Sequence, residues 1–156
     1  MHAQTTGRIL ALDLGSRRIG LAVTDELGLT AQGIETLQRK NKRTDLERLR
    51  SIITHYGIAE IVLGHPLYMS GDPSPRSRQA EDFAGQLREQ FHLPVHLWDE
   101  RLTSTEANRL LRESEATLRQ RKQAVDRMAA TLILQSFLES RHLAASGEAS
   151  GRSGQP

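Results

Sequence analysis

Arg8-Ile-Leu-Ala-Leu-Asp-Leu-Gly-Ser-Arg-Arg-Ile-Gly-Leu-Ala-Val23 reads as an apolar strand, a tight glycine turn and a second apolar strand. Ile9, Leu10, Ala11, Leu12 and Leu14 are apolar on both parities, so the first strand is expected to be covered on both faces, as the central strand of an α/β sheet is. Asp13 stands inside that run. Burying an ionised carboxylate without a partner costs several kcal/mol or drives it neutral, which points to a cation beside it, an arginine or a metal. The plainer alternative is an aspartate capping the turn through the Gly15 and Ser16 amides.

Outward from this hairpin, Asp25-Glu26-Leu27-Gly28 makes a second turn and Ala31 to Leu37 a third strand. The spacing of Leu46, Leu49, Ile52 and Ile53 predicts a helix over Thr44 to Tyr56, stopped by Gly57. Glu60 to Pro66 reads as a short strand, Met69 to Pro75 as a loop, and Ala80, Phe83, Ala84 and Leu87 as one face of a second helix. Val95 to Trp98 is the last strand, with Asp99-Glu100-Arg101 at its end. Thr103 and Glu106 form a capping box for a helix with Ala107, Leu110 and Leu111 inward. Glu113 to Lys122 is charged and weakly patterned, which predicts mobility, and Gln123 to Arg141 reads as a final helix. The expected organisation is a flexible N-terminus over 1–7, one domain over 8–141 and a disordered tail over 142–156.

Three antiparallel strands followed by helix, strand, helix, strand and helices predict an α/β fold. It has a mixed five-stranded sheet with helices on both faces. Right-handed crossovers place the strand at 60–65 beside the first strand and parallel to it, with 95–98 beyond. Ligands of open α/β sheets bind outside the C-terminal ends of the parallel strands, where Asp13, His65, Asp99 and Glu100 fall.

The 156 residues carry a formal net charge of only +2, but the cations cluster at Arg17-Arg18, Arg39-Lys40-Asn41-Lys42-Arg43, Arg76 with Arg78, and Arg119-Gln120-Arg121-Lys122. Such clusters suit a polyphosphate partner as well as they suit solubility. Cysteine is absent, which excludes disulfides and thiolate metal sites. No stretch approaches a membrane span or a signal peptide, so a soluble, cytoplasmic protein without a membrane partner is expected. His92 and His96 have the spacing of a helical zinc pair, but Pro94 between them breaks any helix. His65 is expected to be packed by Pro66 and Trp98 to be core. Aromatic residues make up 4% and are scattered, which disfavours a base-stacking platform.

In the final helix Ala129, Ala130, Ile133 and Phe137 follow Asp126 at plus three, four, seven and eleven, one helical face. The helix macrodipole accounts for an acid there when it is considered alone. With Asp13 and Glu100, however, Asp126 makes three acids directed to one sheet edge. Gathered carboxylates repel unless divalent cations neutralise them, and oxygen-only ligation suits Mg²⁺ or Mn²⁺.

Four segments then resemble one family. Asp13-Leu-Gly-Ser-Arg-Arg-Ile-Gly20, Gly64-His-Pro-Leu-Tyr-Met-Ser-Gly71, Asp99-Glu-Arg-Leu-Thr-Ser104 and Val125-Asp-Arg-Met-Ala-Ala130 are similar to the signatures of the YqgF/RuvX family, small bacterial nucleases of the ribonuclease-H-like superfamily. The resemblance implies that Asp13, Glu100 and Asp126 are the catalytic, metal-holding acids and that Arg101 lies beside them. Spacing alone leaves Asp99 and Glu100 both as candidates. His65 and Ser70 depart from the family pattern, which commonly has an apolar residue and an aspartate there. The implied function is processing of the 5′ end of pre-16S rRNA in ribosome biogenesis, with Holliday-junction resolution in DNA as the competing assignment.

The expected chemistry is phosphodiester hydrolysis with two Mg²⁺ or Mn²⁺ ions, Asp13 bridging them and Glu100 and Asp126 each holding one. Ser16 is expected near the scissile group, and Arg17, Arg18, Arg101, Arg121 and Lys122 on the backbone of a structured nucleic acid. A junction resolvase needs a stable dimer, and nothing here advertises such an interface, so a monomer or weak homodimer is expected. Two rivals are an inert nucleic-acid-binding module and a phosphotransferase, because Asp-x-Gly-Ser-x-x-x-Gly also resembles the phosphate loop of the actin and sugar-kinase fold. The latter needs two such domains.

Overall fold

The computed structural model describes residues 7–102 and 128–144. Its elements are β1 (Arg8–Leu14), β2 (Arg18–Thr24), β3 (Ala31–Gln38), α1 (Lys42–Tyr56), β4 (Ile58–His65), α2 (Pro75–Phe91) and β5 (Val95–Asp99), then a 3₁₀ turn at Glu100–Leu102 and a helix α3 over 128–144. The sheet order is β3-β2-β1-β4-β5. The first three strands are antiparallel, while β4 runs parallel to both β1 and β5. The predicted mixed five-stranded sheet is therefore the observed one, with β1 at its centre.

Helix ends follow local chemistry. Helix α1 begins at Lys42, ahead of the expected Thr44, because the Asn41 side chain accepts the Thr44 amide at 2.8 Å and caps the first turn. It stops at Gly57, whose φ of 63° suits a residue without Cβ. Helix α2 opens on Ser74 and Pro75, with Ser74 and Ser77 capping each other's amides. It ends on His92 in the left-handed conformation, φ 54°, which no sequence signal marks. Helix α3 continues to residue 144, three residues past the expected end at Arg141. The capping box at Thr103 and Glu106, the charged segment at Glu113 to Lys122 and the start of the helix predicted from Gln123 lie outside the described residues.

Strand alternation divides the core in two. Leu10, Leu12, Ile61 and Leu63 join Leu46, Leu49, Phe83 and Leu87 of α1 and α2 in one cluster. Ile9, Ala11, Ala22 and Val62 on the other face meet Ala130, Ile133, Leu134 and Phe137 of α3. Small residues at 11, 22 and 130 let α3 lie close to the sheet. Each fully buried leucine in these layers contributes about 2 to 3 kcal/mol by leaving water.

The direction of α3 follows from its two ends. Ile133 reaches Gly64 near the end of β4, whereas Arg141 forks onto Glu60 near its start, at 2.7 and 3.1 Å. The helix thus runs antiparallel to β4 and starts on the side where the parallel strands finish. Glu60 also lies 3.4 Å from His96 Nε2, and the Arg141 guanidinium sits 4.6 Å over the Phe137 ring. The Arg141 hydrogen bonds hold the Glu60 carboxyl below its ordinary value, against the opposing effect of burial.

Arg141→Ala leaves the mostly buried Glu60 with only His96 as a partner and is expected to cost about 1 to 2 kcal/mol, read as a Tm lowered by roughly 3 to 6 °C. Because the folded value for Glu60 is depressed, this contribution is present above the ordinary carboxylate range and is lost as pH falls through the folded value. A Tm difference between wild type and Arg141→Ala that is as large at pH 3 as at pH 7 would contradict the assignment.

Candidate active site

β1 carries Asp13 to the C-terminal edge of the sheet, on the same face as Ile9 and Ala11 and so on the α3 side. The parallel register sets Leu12 beside Leu63, which brings Gly64 next to Asp13. Gly64 in turn pairs with Trp98. Trp98 faces α3, with its indole donating to Ser136 Oγ at 3.1 Å and its ring edge-on to Phe137. One alternation beyond Trp98 comes Glu100, at the start of the 3₁₀ turn. Its carboxyl group hydrogen-bonds to Asp13 and lies against the bare Gly64.

Asp99 has the opposite parity. It pairs with His65, and both belong to the α2 side with Leu97 and Leu63. The Arg101 guanidinium donates to Asp99 at 2.7 and 2.8 Å, and the Arg101 amide donates at 3.0 Å. These bonds hold the Asp99 carboxyl below its ordinary value. Two acids adjacent in sequence are thereby separated in role: Asp99 is neutralised by Arg101, and Glu100 faces another carboxylate.

Electrostatics mark the Asp13 and Glu100 pair as charge-deficient. Burial pushes the Glu100 carboxyl up to about 9, with the Asp13 charge and the hydrogen bond between them adding to the rise and Arg76 opposing it. Glu100 is thus held in its neutral form over the pH range in which an ordinary carboxylate is charged.

The turn after Asp13 closes on itself. Gly15 donates to the Arg18 carbonyl at 2.8 Å, so its amide does not serve as a cap for Asp13. A Cβ on Gly15 would lie 2.6 Å from that carbonyl oxygen. Arg39 and Arg76 reach the same turn, but their guanidinium groups donate to the Gly15 and Leu14 carbonyls at 2.7 and 3.2 Å. Ser16 and Arg17 are exposed on the turn and Arg18 opens β2.

His65 has a neighbour that the sequence did not indicate. Its Nε2 lies 3.3 Å from Glu81 on α2, buried and without hydrogen-bond alignment, on the face away from Asp13 and Glu100. The strand parity that sets Asp99 apart sets His65 apart too. Asp126, Arg121 and Lys122 lie outside the described residues. Two residues gain importance that spacing did not reveal. Gly64 stood only at the head of one of the four family-like segments and Arg76 only in a basic cluster.

Among the described residues Asp13 and Glu100 form a pair, and no group of three or more side chains able to hold a metal is present. The donor set nevertheless fits a hard divalent cation. It is all oxygen, it brings two carboxyl groups together, and a bound cation would favour the charged form of Glu100 and relieve the repulsion.

Comparison with known proteins gives a family. The RuvX model, described as Holliday junction resolvase, matches residues 7–140. A relative from Koribacter versatilis is 62% identical over 135 residues, covering 86% of this chain and 88% of its own length. One from Geobacillus kaustophilus is 50% identical over 136 residues, covering 86% and 99%. Both are provisionally named pre-16S rRNA nuclease. Among solved structures, Thermus thermophilus RuvC in complex with Holliday junction substrate superposes with a TM-score of 0.53 at 11% identity, covering 87% of this chain and 96% of that one. Fowlpox virus resolvase with Holliday junction DNA gives 0.53 at 15% identity, covering 85% and 97%. These two likenesses speak for the fold, which is ribonuclease-H-like. With a family model spanning nearly every residue and a relative at 62% identity, the chain belongs to the RuvX family.

Proposed function

We propose that this chain is a metal-dependent nuclease that hydrolyses phosphodiester bonds in structured nucleic acid, trimming the 5′ end of pre-16S rRNA. The observation that carries the reading is the hydrogen-bonded Asp13 and Glu100 carboxyl pair at the C-terminal edge of β1 and β5, with Arg101 engaged by Asp99. Asp13, Glu100 and, by its sequence position, Asp126 would hold Mg²⁺ or Mn²⁺; bound there, the metal would supply a water of lowered pKa and positive charge for the departing oxygen.

 The proposed number of ions is two. Everything else falls to the chain's own residues.

Glu100, whose carboxyl is pushed up to about 9 by burial and by the neighbouring Asp13, can hold or release a proton beside Asp13. Asp99 fixes Arg101 at the rim, where its guanidinium also approaches the Met69 carbonyl at 3.5 Å, and this orients a cation toward a phosphate. Ser16, Arg17 and Arg18 lie on the turn and strand that follow Asp13, and Arg121 and Lys122 would add backbone contacts. In the reaction a water oxygen bonds to phosphorus, the bond from phosphorus to the 3′ oxygen breaks, and that oxygen leaves with a proton. The products have 5′-phosphate and 3′-hydroxyl ends.

A panel of end-labelled RNA and DNA, including an rRNA precursor end and a four-way DNA junction, incubated with Mg²⁺ or Mn²⁺, tests this reading. Metal-dependent cleavage of the precursor end is the expected result. The second reading, junction resolution, is favoured by the description of the matching family model. A tight dimer in sedimentation, giving symmetric paired nicks on the junction and leaving the RNA untouched, would replace the first reading with the second. Nucleic-acid binding with no metal-dependent cleavage of any substrate would leave an inert binding module.

A further inference from the structure

A groove of about 560 Å³ lies beside the β1–β2 turn, between the β3–α1 connection and α2. Leu14 and Ser16 line it, one and three residues beyond Asp13, and so do Arg39, Lys40 and Lys42. We propose that this groove is the path of the phosphodiester backbone next to the scissile phosphate, with Lys40 and Lys42 as the phosphate contacts. The proposal rests on the nuclease reading above and deepens it by naming where the strand runs.

Three observations carry it. The first is charge without a partner: Lys40 and Lys42 are exposed, and no carboxylate pairs with either among the described residues. Asp45 also lines the groove, but it is buried, and its carboxylate accepts the Lys40 amide at 3.0 Å. Asp82 on α2 is the remaining acid of the lining.

The second is rigidity. The Arg39 amide donates to the Arg17 carbonyl at 2.8 Å and its guanidinium to Gly15 at 2.7 Å, so the basic segment is tied to the turn that leaves Asp13. The Asn41 cap and the Asp45 bond fix its other end. Cations fixed before the substrate arrives lose little freedom on binding it.

The third is reach. Three residues span at most about 11 Å, so Ser16 lies within roughly that distance of Asp13. That is about three rises of a stacked strand at 3.4 Å each. The groove belongs to the α1 and α2 side, with Leu14 and Phe83, and meets Asp13 around the sheet edge at Ser16, so its lysines are placed for phosphates of a strand that passes over that edge from the bond that is cut. The bland alternative, a solvated surface, predicts no such coupling to the site.

Lys40→Gln/Lys42→Gln tests the assignment, with Arg43→Gln as control, an exposed cation of the same segment that pairs with Glu47 and does not line the groove. Binding of a labelled RNA hairpin with a single-stranded extension is measured by anisotropy in Ca²⁺ over a salt series, and cleavage in Mn²⁺ or Mg²⁺. The double variant is expected to bind at least tenfold more weakly and to lose about 1.5 to 2 units of log–log salt slope. KM should rise by a similar factor while kcat stays within about twofold. Unchanged affinity and slope, or an equal loss in Arg43→Gln, overturns the groove. Wild-type cleavage with an unchanged KM in the double variant overturns the groove and leaves the nuclease reading. Lysine-dependent binding with no cleavage under either metal does the reverse, and a wild type that binds no nucleic acid overturns both.

Discussion

Asp13→Asn is expected to lower cleavage at least a thousandfold, about 4 kcal/mol of transition-state stabilisation, with the fold intact. The side chain keeps its shape, but an amide replaces one oxygen donor and the negative charge is gone. Glu100→Gln is expected to behave alike, since it removes the second member of the same hydrogen-bonded pair. Asp99→Asn should lower activity far less than either, because its carboxylate acts only by positioning Arg101. An inactive Asp99→Asn beside an active Glu100→Gln would show the site to be off by one residue. Undiminished turnover in Asp13→Asn would remove the acid pair from the mechanism altogether.

The same variants have an opposite effect on stability without metal. The folded value of about 9 for Glu100 lies above its ordinary 4.5, so between these limits the folded chain holds a proton that the unfolded chain has lost. Stability therefore falls as pH rises through that window and is fully present below it. Glu100→Gln carries no such proton. In chelator at pH 8 it is expected to melt above wild type by about 3 °C, roughly 1 kcal/mol for a chain of this size, and the advantage should vanish near pH 4. A gain of the same size at both pH values would trace the effect to packing instead.

How far the sequence carried differs from element to element, for physical reasons. The double-sided apolar run of Ile9 to Leu14 located the central strand, because only a strand covered on both faces tolerates apolar residues on both parities. Crossover handedness then fixed the sheet order. Asp99 and Glu100 could not be told apart by pattern, since neighbours in a strand differ only in the face they take, and the pattern leaves the ending of β5 open by a residue. The pairing of Gly64 with Trp98 and of His65 with Asp99 settles which acid turns toward Asp13. The Glu81 partner of His65 was not legible either, because it lies on a helix that sequence distance conceals. The left-handed His92 at the end of α2 had no glycine to announce it.

Gly64→Val is expected to inactivate the enzyme about as thoroughly as Asp13→Asn and to cost about 2 to 3 kcal/mol of stability as well. Position 64 lies in the strand next to Asp13, where glycine is ordinarily a weakness because it packs nothing. Here the missing side chain is the space that Glu100 and Ile133 occupy. A Cβ at this position would lie 2.7 Å from the Glu100 Cδ and 2.9 Å from the Ile133 Cδ1, inside van der Waals contact with both. Both neighbours are flexible tips, so Gly64→Ala should be tolerated at a cost near 1 kcal/mol, with Glu100 turned away from Asp13 and activity down at least tenfold. The two contacts can be separated. Gly64→Ala/Ile133→Val shortens the helix side chain and is expected to restore most of the melting temperature, yet cleavage should stay low because the Glu100 clash remains. Recovery of activity in step with stability would mean that Gly64 acts through the seating of α3 and not through the acid pair.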